Sequence, residues 1–355
     1  MKLLRFSLKC LPLLLTFALA VPQASAACAP TGFVRDGINL TAALINPRGV
    51  VSGDVDATGC NIGVYYGTNA YGVVNNASIH SANYYGVVNN GAFVTVENST
   101  IYDIGETPLN GDQHGVGIYW AFQSNAHGDI TGNVLWNYQK GGIVVNGPTA
   151  TSNIANNTVI GQGPVNYIAQ NGIQVGYGAQ SNVTGNMVTG NSYTGAGLTA
   201  SGGIILVGGD CYGGPTVNKA VIGQNIVVAN DIGVWFSNLD ANCNPVSTPT
   251  RDVALKNTIR DNAVSNTTGD GATQGYQAGV SDQGDQDEIL SNSICGIGYT
   301  SASTPTAALF TIDVTATNNP VVKGNTTCSA IGPVTDDKPG VGFPFHHSLR
   351  PDHHR

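Results

Sequence analysis

Along the middle of the chain, apolar and polar positions alternate in short bursts, and each burst opens on a glycine. Gly117-Ile118-Tyr119-Trp120, Gly142-Ile143-Val144-Val145, Gly172-Ile173-Gln174-Val175, Gly203-Ile204-Ile205-Leu206 and Gly233-Val234-Trp235-Phe236 are the clearest copies. Gly86-Val87-Val88 and Gly279-Val280 are weaker members at the two ends. The glycines recur about every 30 residues, a period found in solenoids. A second element follows at a nearly constant distance: Asn133-Val134-Leu135, Asn157-Thr158-Val159, Asn186-Met187-Val188, Asn225-Ile226-Val227, Asn257-Thr258-Ile259 and Asn292-Ser293-Ile294. Alternation with a period of two predicts strands. Ile118, Ile143, Ile173, Ile204 and Val234 then point inward, and Tyr119, Val144, Gln174, Ile205 and Trp235 point outward. Gly and Asn are expected at turns that need a positive φ. An Asn at the same turn of every coil can bond its neighbours above and below, as stacked amides do. Helical repeats of similar period are excluded by the glycine density and the alternation, and a propeller needs four strands per repeat. The expected fold is all-β: a single-stranded right-handed parallel β-helix, a solenoid with capped ends.

The flanks differ from the repeat. Residues 1–26 read as a signal peptide: Lys2, Arg5 and Lys9, an apolar run from Leu11 to Val21, then Ala24-Ser25-Ala26. That run is too short to span a bilayer, so no retained membrane segment is expected. Residues 27–50 form an N-terminal cap, with Asn39–Ile45 a short amphipathic piece. Residues 51–299 are the coils, 300–345 a closing segment, and 346–355 a mobile tail bearing His346, His347, His353 and His354. The chain is therefore exported, to the periplasm or beyond. Six cysteines remain after the signal, an even count that suggests disulfides in an oxidising compartment. Of 15 possible connectivities, the repeat spacing favours Cys28–Cys60, Cys211–Cys243 and Cys295–Cys328. Charged residues make up 10% of the chain and the net charge is −8, which argues against a nucleic-acid partner.

From Tyr71 to about Cys295 the Gly-Ile and Asn-x-Val elements, together with Ile168-Ala169-Gln170-Asn171-Gly172-Ile173-Gln174, resemble the bacterial right-handed parallel β-helix repeat proteins of the pectin-lyase-like superfamily. The resemblance implies the fold and a polysaccharide or cell-surface glycan as partner. It does not choose among lyases, hydrolases, epimerases, esterases and adhesins. The polygalacturonase Gly-His-Gly and Arg-Ile-Lys motifs are missing. The pectinesterase Gln-Asp pair with its Arg is not evident. Asp112-Gln113-His114 keeps the Asp and His of the Asp-Pro-His motif of alginate epimerases but not its Pro.

Two features are candidates for chemistry. The outward row Tyr119, Gln174 and Trp235 is either a sugar-binding face or a row covered by the long loops beside it. The densest polar set enters the same strands: Asp103, Glu106, Asp112 and His114, with Lys140 aligned one coil above Gly115 and with Gln170 and Asp231 at equivalent places further on. A lyase or uronate epimerase needs a base for the proton beside a carboxylate, and a positive group or metal to stabilise the enolate. Either Lys140 or His114 supplies the base, or the whole set only caps turns and makes surface pairs. Asp112 either orients His114 or, with Asp103 or Glu106, holds a cation such as Ca²⁺. The run Asp282, Asp285, Asp287, Glu288 does not have the spacing of an EF-hand loop and reads as a solvated turn, with Ca²⁺ binding as its alternative. The expectation is a polysaccharide lyase-like enzyme. The competing expectation is a non-catalytic glycan- or surface-binding β-helix.

Overall fold

The computed structural model describes residues 27–122, 124–195, 200–261, 277–295, 309–315, 318–327 and 334–336. The expected signal peptide, the histidine tail and Cys328 lie outside them. The described strands form one sheet of 12 and one of 18, and successive coils pair in parallel register. The chain is a right-handed parallel β-helix, the hand that parallel crossovers take. The larger sheet bends at a corner, so each coil has three faces. One coil shows the pattern: Val116–Trp120 on the first face, His127–Thr131 on the second and Val134–Tyr138 on the third.

The apolar half of the alternation stacks as the sequence predicts. Val64, Val87, Ile118, Ile143, Ile173, Ile204, Val234, Val280 and Ile312 pair in register up the first face. All are 0% exposed, each worth about 1.5–3 kcal/mol of burial. A parallel interior column runs through Trp120, Val145, Val175, Leu206 and Phe236, then through Asp282 to Val314.

The repeated glycines have a different cause from the one expected. Gly117, Gly142, Gly172, Gly203 and Gly233 lie within strands and do not have positive φ. Space excludes a side chain there. A Cβ on Gly172 would stand 2.3 Å from Val188 Cγ1 and 2.6 Å from Gly203 O, and at the other four the two nearest atoms would lie at 2.3–2.8 Å. The positive φ falls on the residue before each ladder Asn: Gly132, Asn156, Gly185, Gln224, Lys256, Ser291 and Gly324.

The asparagines after that corner form the expected ladder. The backbone N–H and side-chain amide of Asn157 both donate to Asn186 Oδ1 at 2.9 Å. Asn186 donates likewise to Asn225, Asn225 to Asn257, Asn257 to Asn292 and Asn292 to Asn325. The second amide hydrogen reaches a carbonyl two coils away from that acceptor, as from Asn186 to Ile154 O at 2.9 Å. Asn fits because one side chain offers an acceptor and two donors, enough to satisfy a buried corner.

At the N-terminus Ala29–Arg35 and Ile38–Ile45 form an antiparallel hairpin. Its second strand, which contains the expected amphipathic piece, pairs in parallel with Ile62–Tyr66 and so covers the first coil. Cys28–Cys60 staples this cap, and Cys211–Cys243 joins the loops that leave the first face in two adjacent coils. Strands continue past residue 299, with Leu309–Val314 and Val321–Lys323 still in register. Among the described residues no helix is long and apolar enough to cross a membrane.

Candidate functional site

The polar set predicted near residue 110 sits on a loop between Thr100–Ile104 and Val116–Trp120. One fully buried side chain from the next coil shapes it. Gln139 Oε1 accepts from the backbone N–H groups of Glu106 and Asn110, each at 3.1 Å. Its Nε2 donates to Asp112 O at 2.8 Å and lies 3.4 Å from His114 O. Sequence reasoning passed over Gln139. The available signal was a glutamine at the coil corner beside Lys140, echoed by Gln170. Gln170 Oε1 likewise accepts from Gln162 N on the next loop, at 2.8 Å. Asp231 holds a third loop, accepting from Ser192 Oγ and from the N–H groups of Tyr193 and Ser201.

The loop brings Glu106, Asp112 and His114 together, with one potential ligand atom of each within 4.8 Å of the others. His114 Nε2 lies 2.9 Å from Glu106 Oε1. A carboxylate only accepts, so Nε2 donates and Nδ1 keeps its lone pair in the neutral ring. The partner that orients His114 is therefore Glu106, where the sequence suggested Asp112. Asp112 is exposed and its Oδ2 accepts from Asn110 Nδ2 at 3.0 Å. The same Glu106 oxygen is 3.4 Å from Asn83 Nδ2, and the chain runs on through Asn61 to Thr41. The His114 ring is stacked on Tyr84 at 3.8 Å and is 5% exposed. Burial first, then the nearby carboxylates Asp36, Glu106 and Asp112, push the Tyr84 hydroxyl up.

Lys140 takes its predicted place: its backbone N–H donates to Gly115 O at 2.9 Å. Its side chain runs on to the next coil, where Nζ donates to Ala169 O at 2.8 Å. Burial lowers its pKa to about 8. Asp103 is not part of the Glu106–Asp112–His114 group. Its carboxylate accepts from the Asn137 amide, and it lines a cleft of about 680 Å³ together with Glu106. Two carboxylates and an imidazole, held from outside by asparagine amides, suit a transition-metal ion better than Ca²⁺, which takes six to eight oxygens.

The outward row has the predicted register but little open surface. Tyr119 is 6% exposed and stacked on Tyr85 at 4.7 Å, and Trp235 is 1% exposed with Nε1 donating to Gln283 at 3.0 Å. Gln174 is half-buried and donates to Asn146 Oδ1. Loops and the cap hairpin, through Phe33 against Tyr65 and Tyr85, overlie much of this face. The exposed rings are elsewhere. Tyr71, Phe93 and His127 stack along the second face, and His80, Tyr102 and Trp136 along the third.

The acidic run Asp282–Glu288 is not a solvated turn. Asp282, Asp285 and Asp287 are 4%, 5% and 0% exposed.

No family model matches the chain, and no curated protein matches its sequence. Among solved structures, a periplasmic alginate epimerase aligns at 11% identity over 79% of this chain and 70% of its own, with a TM-score of 0.45. The A-module of the Azotobacter vinelandii mannuronan C-5 epimerase AlgE4 aligns at 14% identity over 80% of this chain and 88% of its own, with a TM-score of 0.29. That of AlgE6 aligns at 11% over 79% and 90%, with a TM-score of 0.26.

Proposed function

We propose that this β-helix is exported and acts on an acidic polysaccharide by removing the proton beside a uronate carboxylate. The observation that carries the reading is the Glu106–His114 pair at 2.9 Å, with Asp112 within reach on the same loop. Glu106 fixes Nε2–H, so Nδ1 is the base. The C–H electron pair then has two fates. In a lyase it forms the ring double bond as the glycosidic oxygen leaves and takes a proton. In an epimerase the carbon is reprotonated from the opposite face, where a half-buried amine such as Lys140 is suited to act. Two disulfides support an oxidising compartment.

The test is incubation of mature protein with pectate, alginate, glucuronan and chondroitin, with and without Ca²⁺. Ultraviolet absorbance reads unsaturated products and proton NMR reads epimers. Product that disappears in His114→Ala and falls sharply in Glu106→Gln supports the reading. Glycan binding with no product of either kind, unchanged in both variants, replaces it with the binding protein.

A further inference from the structure

The C-terminal coils contain a group of carboxyls unrelated to the loop around His114. Asp282 occupies the interior column between Phe236 below and Val314 above. Asp287 and Asp252 sit at the corner entering the second face, just before Glu288–Leu290 and Val253–Leu255. Their exposures are 4%, 0% and 0%. Backbone and hydroxyl donors satisfy part of the set. Asp252 Oδ1 accepts from Ala220 N at 2.9 Å, and Asp287 Oδ1 from Asp252 N at 2.7 Å and Thr250 Oγ1 at 2.6 Å. Asp282 Oδ1 accepts from Gly284 N at 2.9 Å.

The remaining contact has no such donor. Asp282 Oδ1 and Asp287 Oδ2 meet at Gly284: the first takes its N–H, and the second packs so close that a Cβ there would collide with it; among the described residues nothing donates to that buried Oδ2. Two carboxylates have no hydrogen to share. One of the pair must be protonated for the contact to be favourable.

Among the described residues, the charged groups that act most on the pair are themselves acidic: Asp252 from the corner below, Asp285 from the intervening turn and Asp313 from the coil above. Arg251, the basic side chain next to Asp252 in sequence, is exposed and its Nε lies 3.4 Å from Gln286.

We propose that Asp282 and Asp287 form a proton-dependent latch that tightens the C-terminal coils in mildly acidic media and loosens them as the shared proton is lost. Burial holds all three carboxyls above their ordinary value. The folded protein thus binds more protons than the unfolded chain above the ordinary carboxyl range. Stability is greatest at and below that range and falls as pH rises through the raised values.

The test is thermal unfolding of the full chain from pH 5 to pH 8, beside Asp287→Asn. In that variant Oδ1 still accepts from Thr250 and Asp252, and the new amide donates to Asp282 without a proton. The expected result is a melting temperature that falls with pH in the parent. In Asp287→Asn it is higher at pH 7.5 and flatter across the range. Amide exchange of 277–290 in the parent, corrected for intrinsic pH dependence, gives a readout independent of the variant. It should quicken at least tenfold between pH 5.5 and 7.5. Equal slopes in the two proteins, or unchanged exchange, overturn the latch. So does a rise in the parent's melting point with Ca²⁺ that Asp287→Asn abolishes, which would make the group a cation site.

Discussion

Asn186→Ala removes a middle rung of the buried amide ladder. The side chain is 1% exposed. Its Oδ1 accepts both the backbone and amide hydrogens of Asn157, and its Nδ2 donates to Ile154 O and Asn225 Oδ1. Alanine leaves the Asn157 backbone N–H with no acceptor inside the corner and weakens its neighbours above and below. An orphaned buried N–H costs about 1–3 kcal/mol and each of the three further lost bonds about 1 kcal/mol, so the loss should be about 4–6 kcal/mol. For a domain of this size that is a fall in melting temperature on the order of 10 °C. Circular dichroism melts would measure it, with Asn153→Ala as control. Asn153 is exposed on the second face, and its loss should cost less than about 0.5 kcal/mol. If Asn186→Ala melts within a degree or two of that control, the ladder is a consequence of coil packing and not a cause of it.

Gly172→Ala should cost at least about 1–3 kcal/mol through overpacking. Adding Val188→Ala should restore only part of it, because Gly203 O stays 2.6 Å from the new Cβ; full recovery in urea titrations would count against the close-approach account. As the proton donor of an epimerase, Lys140 must carry its proton, so turnover should fall as pH rises through about 8, and Lys140→Arg should remove that limb of the profile. A profile without it removes Lys140 from the reaction and leaves His114 as the only titrating group proposed.

Much of the coil was legible because interior apolar positions must recur in register, and Ile118, Ile143 and Ile173 do so at fixed offsets from a glycine. The Asn ladder was legible for the same reason. The cause of the glycines was not. Nothing near Gly172 in sequence says that Val188, on another face of the coil, presses against it. Burial of Tyr119 and Trp235 was equally hidden, since it depends on loops and a hairpin brought over them by the fold. His114 was found as the densest polar point on the chain, but its true partner Glu106 lies eight residues away across a loop whose path is set by Gln139. The acidic run Asp282–Glu288 resembled a surface turn because charge usually marks solvent; here the column register places Asp282 indoors.

Gln139 and Gln170 share one architectural habit: each stands on the coil and binds the backbone of a loop, not its side chains. The loops can therefore be exchanged as cassettes. A segment of new sequence between residues 104 and 116 would dock on Gln139 if it presented two N–H groups and one carbonyl at the right places, whatever its side chains. Specificity on this scaffold is then open to change one loop at a time, while the coils beneath keep the same step.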